Sequence, residues 1–206
     1  MQSGFEVADD FRELLLALFG CLVIGVIVFR VIIVYHRSGI FPVVRQAGDT
    51  AHNFIQRINP ALFALFGLSI FSYLSSEAVY SYLVPITYLE VPTVQSAGTI
   101  LAYLSLIWAA VAQAQLGSSW RIGIDPDNVT PLVTRGLYAH WRHPTYLGFM
   151  LMAVGLFFAM PNAVTLVACA LTLVVLPMEA LLEEQHLLSR FGSTYREYLE
   201  RTRRWL

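Results

Sequence analysis

The chain has 206 residues, of which 57% are hydrophobic and only 13% are charged. Soluble domains carry roughly 25% charged residues, so this composition excludes an ordinary soluble domain and indicates a membrane protein. The net charge of −1 gives no reason to expect a nucleic-acid partner. Cys21 and Cys169 both lie in apolar runs, which argues against a disulfide framework. We expect one membrane domain over residues 1–206.

Five apolar segments follow one another along the chain and predict an all-α, polytopic fold with about five transmembrane helices. They are Leu14–Tyr35, Ala61–Leu83, Ala97–Leu116, Tyr146–Met160 and Ala163–Leu182. A helix needs about 20 apolar residues to cross a bilayer. The fourth segment is shorter than this unless its helix begins at Pro144, so the sequence leaves open whether it crosses fully. Three spans are expected in residues 1–115, and the last hairpin with the C-terminal segment in residues 116–206.

The arginines predict the orientation of the chain in the membrane. All 13 basic residues are arginine. Most lie in three places, namely the first and third connections between spans and the C-terminal tail: Arg37, Arg45, Arg57, Arg121, Arg135, Arg142, Arg190, Arg196, Arg201, Arg203 and Arg204. The positive-inside rule then places the N-terminus outside and the C-terminus in the cytoplasm. Arg30, near the end of the first span, is expected to extend its side chain to the cytoplasmic surface.

A polar block from Arg135 to Gly148 interrupts the apolar pattern. Pro144 suits the first turn of a helix, because its missing N–H is not needed there. The residue before a proline avoids helical backbone, so His143 is expected to direct its imidazole into the space between loop and helix. Gly148, one turn further on, would permit the close approach of a ligand or of another helix.

A second polar block begins at Glu183-Glu184 and continues through Phe191-Gly192 to the C-terminal tail. The hairpin between the two blocks reverses at Pro161-Asn162, so both blocks are expected at the same membrane face. Adjacent carboxylates at a membrane border repel each other unless a cation holds them. Arg142, Arg201 or a positively charged ligand can do this.

Together these motifs resemble the isoprenylcysteine carboxyl methyltransferase family, which consists of integral membrane methyltransferases and is related to the phospholipid methyltransferases. The pattern is Gly136-x-Tyr138-x-x-x-Arg142-His143-Pro144-x-Tyr146-x-Gly148, then Glu183-Glu184, then Phe191-Gly192-x-x-Tyr195-x-x-Tyr198-x-x-Arg201. The resemblance covers roughly Leu116–Leu206. It implies that residues 116–206 bind S-adenosyl-L-methionine on the cytoplasmic side. It also implies a lipophilic small-molecule or lipid acceptor that enters laterally from the bilayer.

The resemblance further implies roles for the matched residues. Arg201, Glu184 and His143 are the expected catalytic residues. The expected cofactor-binding residues are Tyr138, Arg142, His143, Pro144, Tyr146, Leu147, Gly148, Glu183, Glu184, Tyr195 and Tyr198. A carboxylate acceptor needs no general base, whereas a thiol, phenol or amine does, with His143 or a glutamate as the candidate. The sequence does not choose between these acceptors. Membrane lipids are expected partners, whereas a bound metal and an obligate protein partner are not.

Two rival classes remain as alternatives. Glu183-x-x-His186 and His140-x-x-His143 have the i, i+3 spacing that supplies ligands in helical di-iron carboxylate sites. A metal-dependent membrane oxidoreductase is therefore one alternative, and the distant kinship of the family with membrane sterol reductases adds a nicotinamide-dependent oxidoreductase. A non-catalytic membrane scaffold of the same fold is the other. Three ordered motifs with the expected residue types favour the methyltransferase.

Overall fold

The computed structural model describes residues 3–43, 51–121 and 130–205, and within these ranges the chain is helical with only isolated β-bridges. The helices are α1 (Ser3–Gly20), α2 (Phe29–Ser38), α3 (Ala51–Ser75), α4 (Glu77–Ser81), α5 (Pro92–Leu116), α6 (Pro144–Ala159), α7 (Ala163–Phe191) and α8 (Ser193–Arg201). A π-helical stretch, Cys21–Val28, joins α1 to α2 without a break. Arg45, one of the arginines used to predict orientation, lies outside the described residues.

Four helical stretches are long and apolar enough to cross a membrane. They are Phe11–Ser38, Asn53–Ser75, Pro92–Ser119 and Ala163–Phe191. Helix α6 is shorter: its 16 residues extend about 24 Å, less than the roughly 30 Å of the hydrocarbon core. The predicted all-α, polytopic membrane fold is confirmed, with four long spans and one short apolar helix.

The second span differs from its predicted bounds. It begins at Ala51 instead of Ala61 and ends at Ser75 instead of Leu83. The early end has a local cause, because the backbone of Ser76 is extended and its hydroxyl accepts a hydrogen bond from the N–H of Val79. Ser76 thereby acts as the N-cap of the separate short helix α4.

Hydrogen bonds identify which connections share one end of the bundle. The N–H of Ile86 donates to the carbonyl of Pro161 at 2.8 Å, and that of Ala163 donates to the carbonyl of Leu83 at 3.1 Å. The connection between α4 and α5 therefore packs against the α6–α7 turn. The opposite end holds the end of α5, the start of α6 and the end of α7. Helix α6 runs from this opposite end toward the α6–α7 turn.

Helices α5 and α6 pack closely because small residues face each other. A Cβ atom added to Gly155 would lie 2.6 Å from the backbone nitrogen of Ala102, and one added to Gly98 would lie 2.5 Å from that of Ala159. Small residues let helix backbones approach closely inside membranes. Such short distances leave no room for a methyl group on either glycine.

Helices α5 and α6 are antiparallel, and α6 begins beside the last third of α5 instead of beside its last residue. Gly148 lies against Ala109, and the indole N–H of Trp108 donates to the carbonyl of Pro144 at 2.9 Å. Trp108 precedes the last residue of α5, Leu116, by about two helical turns, or about 12 Å along the axis. The start of α6 therefore lies within the depth of the α5 span.

The expectation that Arg30 reaches the surface is wrong. Its side chain is 8% exposed, and its Nη2 donates to the carbonyls of Gln113 and Gly117, each at 2.6 Å. The guanidinium carbon lies 5.7 Å from the ring centroid of Trp120. The carbonyls at the end of α5 have no partners within that helix. They provide acceptors inside the bundle, so the side chain stays buried.

Candidate active site

The α6–α7 hairpin brings His143 to the glutamate pair, 41 residues away in sequence. Nε2 of His143 lies 3.2 Å from Oε1 of Glu184, and Nδ1 lies 3.6 Å from Oε2 of Glu183. The backbone of His143 is non-helical (φ −128°, ψ 56°), and α6 begins at Pro144, as the His-Pro sequence predicts. The two polar blocks therefore meet at one end of the bundle.

Three cationic side chains surround Glu184, which is itself buried. Besides His143, Nε of Arg142 lies 3.3 Å from its Oε1. Arg204 approaches both carboxylate oxygens, with Nε donating at 3.0 Å and Nη2 at 2.6 Å. This two-pronged contact is the strong geometry for an arginine–carboxylate pair. Glu184 therefore holds the loop before α6 and the C-terminal tail together.

The arginine of the tail that pairs with Glu184 is Arg204, whereas the sequence predicted Arg201. Arg201 is exposed, and its Nε donates to the backbone carbonyl of Glu197 at 3.2 Å. The tail is held at Arg203, whose N–H donates to the carbonyl of His140 at 2.9 Å and whose carbonyl accepts from Arg142 at 2.8 Å. This pairing delivers the next residue, Arg204, to Glu184. The sequence alone could not choose between the arginines of the tail.

Helix α8 closes the site with two buried tyrosines, Tyr195 and Tyr198. The hydroxyl of Tyr198 donates to the backbone carbonyl of Tyr138 at 2.7 Å, and the Tyr138 hydroxyl lies 3.0 Å from that of Thr145. Burial raises the pKa of Tyr198 to about 12 and raises that of Tyr138 further. Both phenols therefore stay neutral at physiological pH.

Two opposing effects set the pKa of His143. Burial lowers it, because an imidazolium loses its hydration, but the neighbouring carboxylates of Glu183 and Glu184 favour the charged ring. The carboxylates outweigh burial, so the pKa of His143 is raised above its ordinary value. The hydrogen bonds to Glu184 likewise raise the pKa of Arg204. The contacts of His143 therefore favour a positively charged ring.

A cavity of about 150 Å³ opens beside this cluster. Six of the predicted cofactor-binding residues line it: Tyr138, Arg142, His143, Glu183, Tyr195 and Tyr198. The two adjacent glutamates thus differ in position, because Glu183 faces the cavity whereas Glu184 is not part of its lining. Glu183 thus borders the cavity beside His143, whereas Glu184 is held by Arg142, His143 and Arg204.

The other predicted cofactor-binding residues lie outside the cavity lining, and each has a structural contact. The ring of Tyr146 stacks on that of His143, with centroids 5.5 Å apart and planes 8° apart. Leu147 packs in an apolar cluster with Leu176 of α7. Gly148 contacts α5, so its close approach is to another helix. The carbonyl of Pro144 accepts the hydrogen bond from Trp108.

Two cavity-lining residues, His186 and Arg190, were absent from the predicted cofactor set. They follow Glu183 by three and seven positions in α7, and this spacing places all three on one helical face. That periodicity is the sequence signal that could have found them. His186 entered the sequence analysis only as a candidate metal ligand. Within residues 3–43, 51–121 and 130–205, no group of three or more His, Cys, Asp or Glu side chains has the arrangement to hold a metal ion.

The fold and the site define a polytopic α-helical membrane protein with a His–Glu–Arg cluster at one end of its bundle. Residues 96–190 match the model of the isoprenylcysteine carboxyl methyltransferase (ICMT) family. The resemblance seen in the motifs is thereby confirmed over this region. It includes α6, the α6–α7 turn and both glutamates, whereas α8 and Arg204 lie beyond it.

Three curated proteins are similar to part of the chain. The protein-S-isoprenylcysteine O-methyltransferase of Schizosaccharomyces pombe is 38% identical over 68 residues, which is 32% of this chain and 29% of the relative. Protein-S-isoprenylcysteine O-methyltransferases B and A of Arabidopsis thaliana are 37% and 33% identical over 71 and 93 residues. These matches cover 34% and 45% of this chain, and 36% and 47% of the respective relatives. The chain therefore spans less than half the length of each of these relatives.

Proposed function

We propose that this protein is an S-adenosyl-L-methionine-dependent methyltransferase that acts in the membrane on a lipophilic acceptor. The proposal rests on one observation: His143 contacts Glu183 and Glu184 beside a cavity. All three residues belong to the region that matches the family. The names of the relatives specify O-methylation of a protein S-isoprenylcysteine. The acceptor proposed here is the carboxylate of a prenylcysteine-like molecule, or another small lipophilic acid, thiol or amine.

The residues of the cavity suit a cationic cofactor. Glu183 offers a carboxylate to the amino or sulfonium charge, and the rings of Tyr138, Tyr195 and Tyr198 offer aromatic faces to a cation. When bound, the cofactor supplies an activated methyl group for displacement by the acceptor. The role of the chain is to hold donor and acceptor at reacting distance, which can contribute several kcal/mol.

The cavity beside the cluster is smaller than a typical ligand cavity. Ligand cavities usually measure about 300–1,000 Å³, and this cavity measures about 150 Å³. Arg204 and Trp205 lie against the cluster, since Arg204 contacts Glu184 and the ring of Trp205 lies 5.9 Å from that of His143. We infer that displacement of these last residues enlarges the cavity.

The charge of His143 favours a carboxylate acceptor among the candidates. A general base must be deprotonated at the working pH. The raised pKa of His143 reduces its neutral fraction, which disfavours it as the base that a thiol, phenol or amine would need. A carboxylate is already ionised at neutral pH and needs no base. In this proposal His143 orients the site as a cation between the two glutamates.

The depth of the site supports lateral entry of the acceptor. His143 precedes α6, whose start lies about 12 Å below the end of α5. A lipophilic acceptor can therefore keep its hydrocarbon part in the bilayer while its polar end reaches the cluster. We place this end of the bundle, with the C-terminus, on the cytoplasmic side.

Calorimetry with S-adenosylhomocysteine tests the proposal. The wild-type protein in detergent is expected to bind, and Glu183→Gln is expected to weaken binding at least about tenfold, since a hydrogen bond to a charged group contributes about 1.5–3 kcal/mol. Glu200→Gln is the matched control, because Glu200 is exposed on α8. No binding by folded wild-type protein would favour the scaffold alternative. Labelled methyl transfer into membrane extracts would then identify the acceptor.

A further inference from the structure

Arg30 is a buried cation with an unused donor. Its Nη2 is satisfied by two backbone carbonyls, but its buried Nε has no hydrogen-bond partner. The ion pairs among residues 3–43, 51–121 and 130–205 do not include Arg30. A buried charge inside a membrane protein is costly without a partner and generally marks a functional site. The carbonyls and the Trp120 ring stabilise part of the guanidinium and leave Nε without an acceptor.

A second cavity, of about 190 Å³, lies directly beside Arg30. Apart from Arg30 and Gln113, its lining is apolar: Gly25, Val26, Phe29, Ile33, Ala110 and Ala114. Gly25, Phe29, Ala110 and Ala114 are exposed on spans that face lipid. The cavity therefore joins a hydrophobic groove, open toward the bilayer, to one buried positive charge.

The local helix geometry contributes to this groove. Gly25 and Val26 belong to the π-helical stretch Cys21–Val28, and π-helical turns occur frequently at functional sites. Gly25 has no heavy atom within 4 Å of the position that a Cβ would take. The glycine thus leaves open space, in contrast to Gly155, where the space is filled by α5.

We propose that this groove binds an amphiphile with an anionic head and a single hydrocarbon chain. The head, a carboxylate or a phosphate, accepts from Nε of Arg30 and neutralises its charge. The chain lies along the apolar lining and extends into the bilayer. The charge of Arg30 and the apolar lining therefore select the same kind of ligand.

The groove lies next to the proposed methyltransferase centre. The end of α5 and the turn after it separate the two cavities: Gln113, Gly117 and Trp120 contact Arg30, whereas Leu116 and Ser119 line the cavity beside His143. An anionic amphiphile held by Arg30 therefore lies one helix end away from the candidate active site. The binding site itself does not depend on the proposed methyl transfer.

Quenching of Trp120 fluorescence tests the site without any cofactor. The probe is a long-chain carboxylic acid with bromine atoms on its chain near the head, and Trp120 is close because its ring lies 5.7 Å from the Arg30 guanidinium. We expect saturable quenching in the purified protein. Trp120→Phe should remove that quenching, and Arg30→Gln should weaken binding at least about tenfold.

Three further arms decide between the possible ligands. A brominated alcohol of the same chain length is expected to bind much more weakly, and equal binding would overturn the proposal. A brominated phosphate monoester that binds as well as the acid extends the site to lipid phosphates, and its failure restricts the site to carboxylates. Gly25→Leu fills part of the groove and keeps the positive charge of Arg30. Unchanged affinity in this variant would overturn the proposal even if Arg30→Gln does not fold.

Discussion

At the scale of single residues, Glu183 and Glu184 are chemically identical neighbours with different surroundings. Glu184 is buried among Arg142, His143 and Arg204, whereas Glu183 borders the cavity. Removing one partner of a buried ion pair leaves the other charge uncompensated and strongly destabilises the fold, whereas replacing both partners by apolar residues is often neutral. We therefore assign Glu184 mainly to the fold of the site and Glu183 mainly to the ligand.

Glu184→Gln is expected to lower the free energy of unfolding by about 3 kcal/mol, because three cations lose their common carboxylate. Glu183→Gln should cost less stability and should lower cofactor affinity more. Denaturant unfolding in detergent, compared with calorimetry on the same samples, measures both effects. The assignment of the two glutamates would be reversed if Glu183→Gln unfolded the protein and Glu184→Gln only weakened binding.

The pH dependence of stability is expected to report the charge of His143. Its pKa in the folded protein is raised above the value of about 6.5 for an unfolded chain. Protonation therefore stabilises the fold, fully below about pH 6.5, and this stabilisation is lost as the pH rises through the folded pKa. The melting temperature should fall across that interval, and His143→Gln should flatten the decline. His140→Gln, at an exposed position, is the control and should keep it.

At the scale of helices, contact between α5 and α6 sets the position of the site. Gly98 and Gly155 allow the backbones to touch at one end, and Trp108 holds Pro144 near the other. Because Pro144 follows His143 directly, the register of these two helices also sets how deep the imidazole lies. Packing far from the cluster thus controls its geometry.

Gly155→Ala is expected to destabilise the protein by roughly 1–3 kcal/mol, because the added methyl group has to push α5 and α6 apart. Gly25→Ala is the matched control, since its methyl group would enter open space. Alanine is the better helix former by about 1 kcal/mol, so this control should be neutral or stabilising. Thermal unfolding of both variants measures the difference. Equal effects would contradict the close packing of α5 and α6.

At the scale of the whole molecule, hydrogen bonds between residues 83–86 and 161–163 place the α4–α5 connection and the α6–α7 turn at the same end of the bundle. The His–Glu–Arg cluster lies at the opposite end. Four of the arginines that predict orientation lie at the candidate active site: Arg142 and Arg204 contact Glu184, and Arg121, Arg142 and Arg190 line the cavity.

The orientation proposed for the chain can be measured. We expect a C-terminal reporter that is active only in the cytoplasm to be active when fused to the full chain. A reporter that requires export should be inactive at the same position and active at the N-terminus. The opposite pattern would place the cluster on the outer face and would contradict the orientation proposed here.

The amino-acid sequence by itself determined the helical membrane fold, the hairpin and the meeting of its two polar blocks. These features follow from local rules, namely apolar run length, the position of proline and the reversal of a short turn. Tertiary structure decided what those rules do not contain: Ser76 ended a helix early, Arg30 found carbonyls inside the bundle, and Arg204 reached Glu184 in place of Arg201. In each case a polar group formed a hydrogen bond with an acceptor or donor that lay close to it in the folded chain. The separation of two residues along the sequence does not tell which of them will become hydrogen-bonding partners.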